Sequence, residues 1–273
     1  MENGTITYTQ LLREDLAIFR VTPDGGFPDF KAGQFLTLGL PLESKIVNRA
    51  YSIASSPENK KFFEFVIRWV RKPLPGRLTS LLFNVKEGDK ISWAKPAGSL
   101  TINDTLPNGE KDTRRIVCIG GGTGLAPFVS FAQHLHDTED KREIVVLHGA
   151  SYVDELSYKQ LLTDLENESI DKGADKWNFK YRAAISRPQE WTNRAWHGHK
   201  GRIEQFLRTG NDGKSPLEEL VGEKITKDNT IFYVCGWQGT IDGVMDYLKA
   251  KNFVSEKNKR EDGSYEVKFE SYG

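Results

Sequence analysis

RRIVCIGGGTGLAPFVSFAQHLHD, residues 114–137, runs from a continuous apolar stretch through a glycine-dense turn into a helical pattern. The apolar stretch has the β-branched make-up of a strand buried on both faces. GGGTGLAP, residues 120–127, follows that strand directly and opens the helix. A turn so placed presents backbone N–H groups and the positive end of a helix to a pyrophosphate. Its spacing departs from G-x-G-x-x-G, and taken alone it equally describes a tight strand-to-helix turn.

Outward from this stretch the two directions read differently. Toward the C-terminus strands and helices alternate: EIVVLHGA precedes ELSYKQLLTDLEN, FKYRAAIS precedes the helical IEQFL, and TIFYVCG precedes TIDGVMDYLKAKN. This rhythm predicts an α/β domain with a parallel sheet, right-handed crossovers and a ligand at the carboxyl ends of the strands. ENESIDKGADKW and RTGNDGKSPLEE read as charged loops. Toward the N-terminus, residues 5–102 give short extended runs, QFLTLGL, AYSIAS, FFEFVIRWV and DKISWAK, separated by turn signals. That pattern predicts an antiparallel β-barrel of Greek-key type with one short helix at LTSLLFNV. NDTLPNGEKDT, residues 103–113, is polar and carries Pro and Gly, so the boundary is drawn there: one domain over 1–108 and a second over 109–273.

Composition sets outer limits. A chain of 273 residues with 38% hydrophobic and 28% charged residues is long enough for two cores and too apolar for disorder. Lys plus Arg equals Asp plus Glu at 38 each, so no global field draws it to nucleic acid or anionic lipid. Cys118 and Cys235 each sit inside an apolar run, as buried thiols of a reducing compartment do. MENGTITYTQLLRED has no apolar signal core, and no run of about 18 apolar residues spans a membrane, so a cytoplasmic protein is expected. His197 and His199 in HGH lack carboxylate or thiolate support, and no metal is expected.

Two further segments carry chemistry. In NRAYSIASSP, Arg49, Ala50, Tyr51 and Ser52 offer a cation, an aromatic face and a hydroxyl along one strand, and alternation places Arg49 and Tyr51 on the same face. In PGRLTSLL, Gly76, Leu78 and Thr79 open a helix whose N–H groups and hydroxyl suit a phosphate. Either segment by itself also reads as ordinary packing and an ordinary helix start.

In this order, R-x-Y-S, then G-x-x-T, then GGGTGxAP, the chain resembles the ferredoxin–NADP reductase family. The resemblance continues through HGASYVDELSY, ISRPQE, HKGRIEQFL and FYVCGWQGTIDGVMDYL to the terminal FESYG. It implies FAD and NADP(H) as cofactors and ferredoxin or flavodoxin as the protein partner of a monomeric enzyme. Within that resemblance Arg49 and Thr79 hold the FAD pyrophosphate, Tyr51 stacks on the isoalloxazine and Ser52 hydrogen-bonds near flavin N5. Ala50, Gly76 and Leu78 belong to the same binding segments. Tyr272 covers the opposite flavin face and Glu270 serves proton traffic with Ser52, although Gly273 here follows the tyrosine that ends plant-type chains. Gly122, Thr123, Gly124 and Pro127 receive NADP, and Cys235 with Gly236 places a thiol beside the reacting nicotinamide carbon. Ser186, Arg187 and Arg202 match positions that grip the 2'-phosphate. Two charge-assisted contacts of about 1.5–3 kcal/mol each would favour NADP over NAD by roughly a hundredfold or more. Ser151 stands where some bacterial relatives carry a further Arg.

Arg71, Lys72 and Arg77, with Lys45 and Lys95, form a basic group for an acidic carrier. The implied activity exchanges hydride with NADP(H) and single electrons with the carrier. Two other readings stay open: an NADH- or NADPH-dependent reductase for an oxygenase or cytochrome, and a non-catalytic flavin-binding electron-transfer subunit.

Overall fold

The computed structural model describes residues 1–71 and 74–272. Its contacts divide the chain into two compact units, Met1–Thr101 with Ala126–Thr138, and Ile102–Leu125 with Glu139–Gly273.

The first unit is an antiparallel sheet of six strands: β1 (Glu2–Arg13), β2 (Leu16–Pro23), β3 (Phe35–Leu42), β4 (Lys45–Ser52), β5 (Phe63–Arg68) and β6 (Lys90–Trp93). Helix α1 (Arg77–Leu82) lies between β5 and β6. The sheet order is β4-β3-β6-β1-β2-β5. The β1–β2 hairpin is thus flanked by β5 and β6, and the β3–β4 hairpin joins beside β6, the interleaving of a Greek key. One face collects Ile6, Phe19, Leu36, Leu38, Phe65 and Trp93 into a single core, with Phe27 stacked on Phe63 at 4.4 Å. β4 is an edge strand and most of its residues are exposed.

The second unit begins with β7 (Arg115–Gly121), buried throughout as its unbroken apolar run predicts. After it come α2 (Ala126–Asp137), which groups with the first unit, β8 (Ile144–Ala150), α3 (Lys159–Lys172), β9 (Phe179–Ile185), β10 (His199–Lys200), α4 (Pro216–Val221), β11 (Thr230–Gly236), α5 (Gln238–Ala250) and β12 (Val267–Ser271). The order is β10-β9-β8-β7-β11-β12, and all neighbours are parallel. From β7 the chain proceeds outward one way to β8, β9 and β10, then returns to place β11 on the other side of β7. The carboxyl ends of β7 and β11 therefore form the switch point where such sheets bind ligands.

Three segments depart from the reading of the sequence. α3 runs five residues past the expected helix ELSYKQLLTDLEN, over residues 168–172 of the expected loop, because Ser169 stands where an apolar residue would mark the inner face. The Ser169 hydroxyl donates to the Trp177 carbonyl at 2.8 Å and accepts from the Phe179 N–H at 3.0 Å, which satisfies it in the core. PLEE, the end of the expected loop RTGNDGKSPLEE, opens helix α4, started by a capping box in which Ser215 and Glu218 bond each other's backbone N–H groups. IEQFL, expected as a helix, is a single 3-10 stretch of five residues.

Residues 103–113 are tied to the second unit. The buried Arg142 guanidinium donates to the carbonyl of Asn103 at 2.8 Å, and the Asn103 N–H donates to the Tyr233 hydroxyl at 2.8 Å. Among the described residues no helix is long and apolar enough to cross a membrane.

Candidate functional site

In the first unit, the register pairs Arg49 with Leu38 and Tyr51 with Leu36, so both side chains stand on the sheet face that carries the core, as alternation predicts. The two differ in depth. Tyr51 packs against the core cluster, and burial pushes its phenol well above the ordinary value, so the ring is a neutral stacking face. Arg49 is exposed and donates to the neighbouring carbonyl of Asn48 at 2.8 Å. Ala50 is exposed and Ser52 half-buried.

Gly76 is the N-cap residue of α1, with its own N–H on the Val70 carbonyl at 2.8 Å. Leu78 and Thr79 are buried, and the Thr79 hydroxyl donates back to the Gly76 carbonyl at 3.2 Å. The first turn of α1 carries no acidic residue. Its N–H groups have no carbonyl within the helix to bond. A guanidinium, a packed aromatic face and an uncapped helix start form the donor set a flavin dinucleotide requires, and these residues fit FAD.

In the second unit the glycine turn is shaped by close approach. A Cβ on Gly124 would lie 2.3 Å from the Cys235 carbonyl oxygen, and Gly122 has φ +57°. The turn Gly122–Leu125 therefore rests its backbone on the end of β11 and leaves Thr123 between two glycines. Pro127 is buried in the first turn of α2 and groups with the first unit. A turn whose backbone packs this closely on β11, at the switch point of a parallel sheet and at the start of α2, fits a nicotinamide dinucleotide.

Tyr272 closes on this turn. Its hydroxyl accepts the Gly124 N–H at 2.7 Å and donates to the Gly121 carbonyl at 2.6 Å, and Trp237 meets its ring edge-on at 5.8 Å. Cys235 and Gly236 end β11, opposite Glu270 and Ser271 of β12. Burial pushes the Cys235 thiol well up and the Glu270 carboxylate beside it adds to the shift, so the sulfur stays protonated. Burial also raises the Glu270 carboxyl. His148 lies in register with Gly120, and burial holds its imidazole down to about 4, partly offset by the Gly122 backbone.

Ser186 and Arg187 leave the end of β9, both exposed, and Arg202 follows the end of the neighbouring β10. Arg187 donates to the Tyr152 hydroxyl at 2.8 Å, and its guanidinium carbon lies 5.4 Å from that ring's centroid. Arg202 is paired with Glu204 and donates to the Gly239 carbonyl at 3.1 Å. Tyr152 is absent from the residues read from the sequence, and its signal there is an aromatic residue two positions beyond the end of β8, at the ligand-binding edge of the sheet. Arg71 is held by Glu14 and Trp69. Lys45, Lys95 and Arg77 are exposed, and Lys72 lies outside the described residues, as does Gly273.

Residues 3–102 match the family model described as oxidoreductase FAD-binding domain, and residues 118–246 match the oxidoreductase NAD-binding domain. The chain is 30% identical over 238 residues to a ferredoxin–NADP reductase of Azotobacter vinelandii, covering 86% of this chain and 84% of that protein. It belongs to the ferredoxin–NADP reductase family. A flavodoxin/ferredoxin–NADP reductase of Escherichia coli (strain K12) is 28% identical over 220 residues, 81% of this chain and 79% of that one. A solved ferredoxin NADP+ reductase from Neisseria gonorrhoeae with bound FAD and NADP shares the fold at TM-score 0.77 and 21% identity, covering 98% and 97% of the two chains. As in this family, the protein is an oxidoreductase whose two units carry an FAD-binding and a nicotinamide-dinucleotide-binding domain.

Proposed function

We propose that the protein is a ferredoxin- or flavodoxin-dependent NADP reductase, acting as a cytoplasmic monomer, with an FAD domain over 1–108 and an NADP(H) domain over 109–273. The glycine turn at the switch point, its backbone against Cys235, is the observation that carries this reading. Bound FAD supplies the exchange between a two-electron hydride and single electrons.

The chain's own residues bind and orient. Arg49 and the start of α1, from Gly76 through Leu78 to Thr79, receive the flavin pyrophosphate, and Tyr51, flanked by Ala50, offers its ring to the isoalloxazine. Gly122, Thr123, Gly124 and Pro127 receive the NADP pyrophosphate. Cys235 and Gly236 act as a neutral packing surface for the nicotinamide: a thiol held protonated is no nucleophile and contributes shape. Glu270 and Tyr272 of the second unit serve hydride exchange, Ser52 of the first unit serves the flavin, and the raised Glu270 carboxyl suits it to hold a proton nearer neutrality than an exposed carboxyl does. Ser186 and Arg187 receive the 2'-phosphate. Arg202 shares its charge with Glu204 and is the lesser contributor. The exposed Arg77, Lys45 and Lys95 offer an acidic carrier its docking charge.

The test is anaerobic transfer from NADPH to purified ferredoxin and flavodoxin, followed at the carrier's own absorbance. Catalytic reduction of either carrier supports the proposal. Flavin reduction by NADPH with neither carrier reduced contradicts it and leaves an oxygenase or cytochrome reductase.

A further inference from the structure

We propose that Asn193 is a positioning residue for NADP selectivity, holding Arg187 and Tyr152 together as one preformed clamp for the 2'-phosphate end of the dinucleotide. The inference rests on the assignment of Arg187 to that phosphate.

Asn193 is 1% exposed at the end of the 3-10 turn Trp191–Asn193, whose other two residues are exposed. Its amide nitrogen donates to the Ser151 carbonyl at 2.9 Å and to the Arg187 carbonyl at 2.8 Å, while its amide oxygen accepts the Val153 N–H at 2.9 Å. Both donors and one acceptor are thus spent on backbone groups of two different strand exits. Ser151 and Val153 flank Tyr152 on either side, and the third bond falls on Arg187 itself. One buried side chain therefore fixes the backbone of both members of the Arg187–Tyr152 pair, whose side chains meet at 2.8 Å.

At the sheet the two exits are joined by one ladder bond. The Ser186 N–H donates to the Ala150 carbonyl at 2.9 Å, which continues the β8–β9 ladder by one bond. Past that bond the two exits diverge, and Asn193 spans them. An exposed arginine loses rotamer freedom when it grips a phosphate, and a backbone and stacking partner set beforehand reduce that loss. Only an amide serves here. Aspartate keeps the size and the acceptor but points a negative oxygen at two carbonyls, and alanine removes all three bonds.

The flavin-loaded protein is titrated calorimetrically with 2'-phospho-AMP and with 5'-AMP, in wild type, Asn193→Ala, Asn193→Asp and Arg187→Ala. Wild type prefers 2'-phospho-AMP at least tenfold. Both Asn193 variants lose most of that preference and keep their affinity for 5'-AMP. In steady state their KM for NADPH rises at least fivefold while KM for NADH stays within twofold, a split that general loosening does not produce. Near-ultraviolet circular dichroism identifies a variant that has failed to fold, and the aspartate variant, which keeps the buried volume, carries the test if alanine does. Loss of preference in Arg187→Ala but not in either Asn193 variant overturns the inference and leaves the 2'-phosphate assignment intact. Equal weakening of both probes by the Asn193 variants also overturns it, since Asn193 then only stabilises the loop. Unchanged preference in Arg187→Ala removes the assignment and the inference together.

Discussion

The Tyr272 hydroxyl and a bound dinucleotide compete for one donor, the Gly124 N–H. The hydroxyl of Tyr272 holds the Gly124 N–H that the proposed pyrophosphate site needs. Releasing one such bond is worth about 0.5–1.5 kcal/mol. Tyr272→Phe is therefore expected to bind NADP+ several-fold more tightly, up to about tenfold, in a fluorescence or calorimetric titration. Equal or weaker binding would place the pyrophosphate elsewhere. The glycines themselves were legible in residues 120–127, because only close backbone approach calls for so many in one turn. The Tyr272 latch was not legible, since its partner lies 148 residues away in the chain. For the same reason the pairing of Arg187 with Tyr152, two side chains 35 residues apart, was visible only as a lone cation in a loop.

Among the elements, the strands were easier to read than the helices. Buried parallel strands announce themselves by unbroken apolar runs such as IVCI and IFYV, and the alternation with helical segments fixed the sheet as parallel. α3 ran past its apparent end because a hydrogen-bonded Ser169 replaced an apolar residue in its inner face. α4 was hidden in a stretch whose polar residues are its cap. The Ser215 hydroxyl accepts the Glu218 N–H at 3.3 Å, and a Glu218 carboxylate oxygen accepts the Ser215 N–H at 2.9 Å. Glu218 also accepts the Ile225 N–H at 3.2 Å, so the box ties the segment that follows α4 back to the helix. Replacing Ser215 by alanine is expected to lower stability by about 1–2 kcal/mol, read as a lower urea midpoint at unchanged slope. A change below about 0.3 kcal/mol would show that the cap contributes nothing to the folded unit.

For the whole molecule, His148 and Glu270 each contribute a part of the pH dependence of stability. His148 takes up a proton near 6.5 in the unfolded chain but only near 4 when folded, where the Tyr181 hydroxyl lies 3.4 Å from its Nδ1. Between those values the unfolded state binds more protons, so stability falls as pH is lowered through that window, by about 2 kcal/mol at pH 5 relative to pH 8. His148→Gln is expected to lose that part of the slope, measured as the difference in urea midpoint between pH 8 and pH 5. An undiminished slope would mean the ring is already charged in the fold. Glu270 acts in the opposite sense: its raised carboxyl favours the folded state below the ordinary carboxylate value, and that contribution is lost as pH rises through the raised value. The equal numbers of acidic and basic residues gave no hint of either group, since composition reports charge and not burial.

In the proposed function, electrons enter as hydride from NADPH and the nucleotide is chosen by its 2'-phosphate. Anaerobic stopped-flow reduction of the flavin-loaded protein with NADPH and with NADH, followed at the flavin absorbance, decides both points. The expected result is fast bleaching by NADPH, with NADH at least a hundredfold less efficient. NADH bleaching as fast as or faster than NADPH would contradict the 2'-phosphate assignment, and a bound flavin bleached by neither would contradict the enzyme.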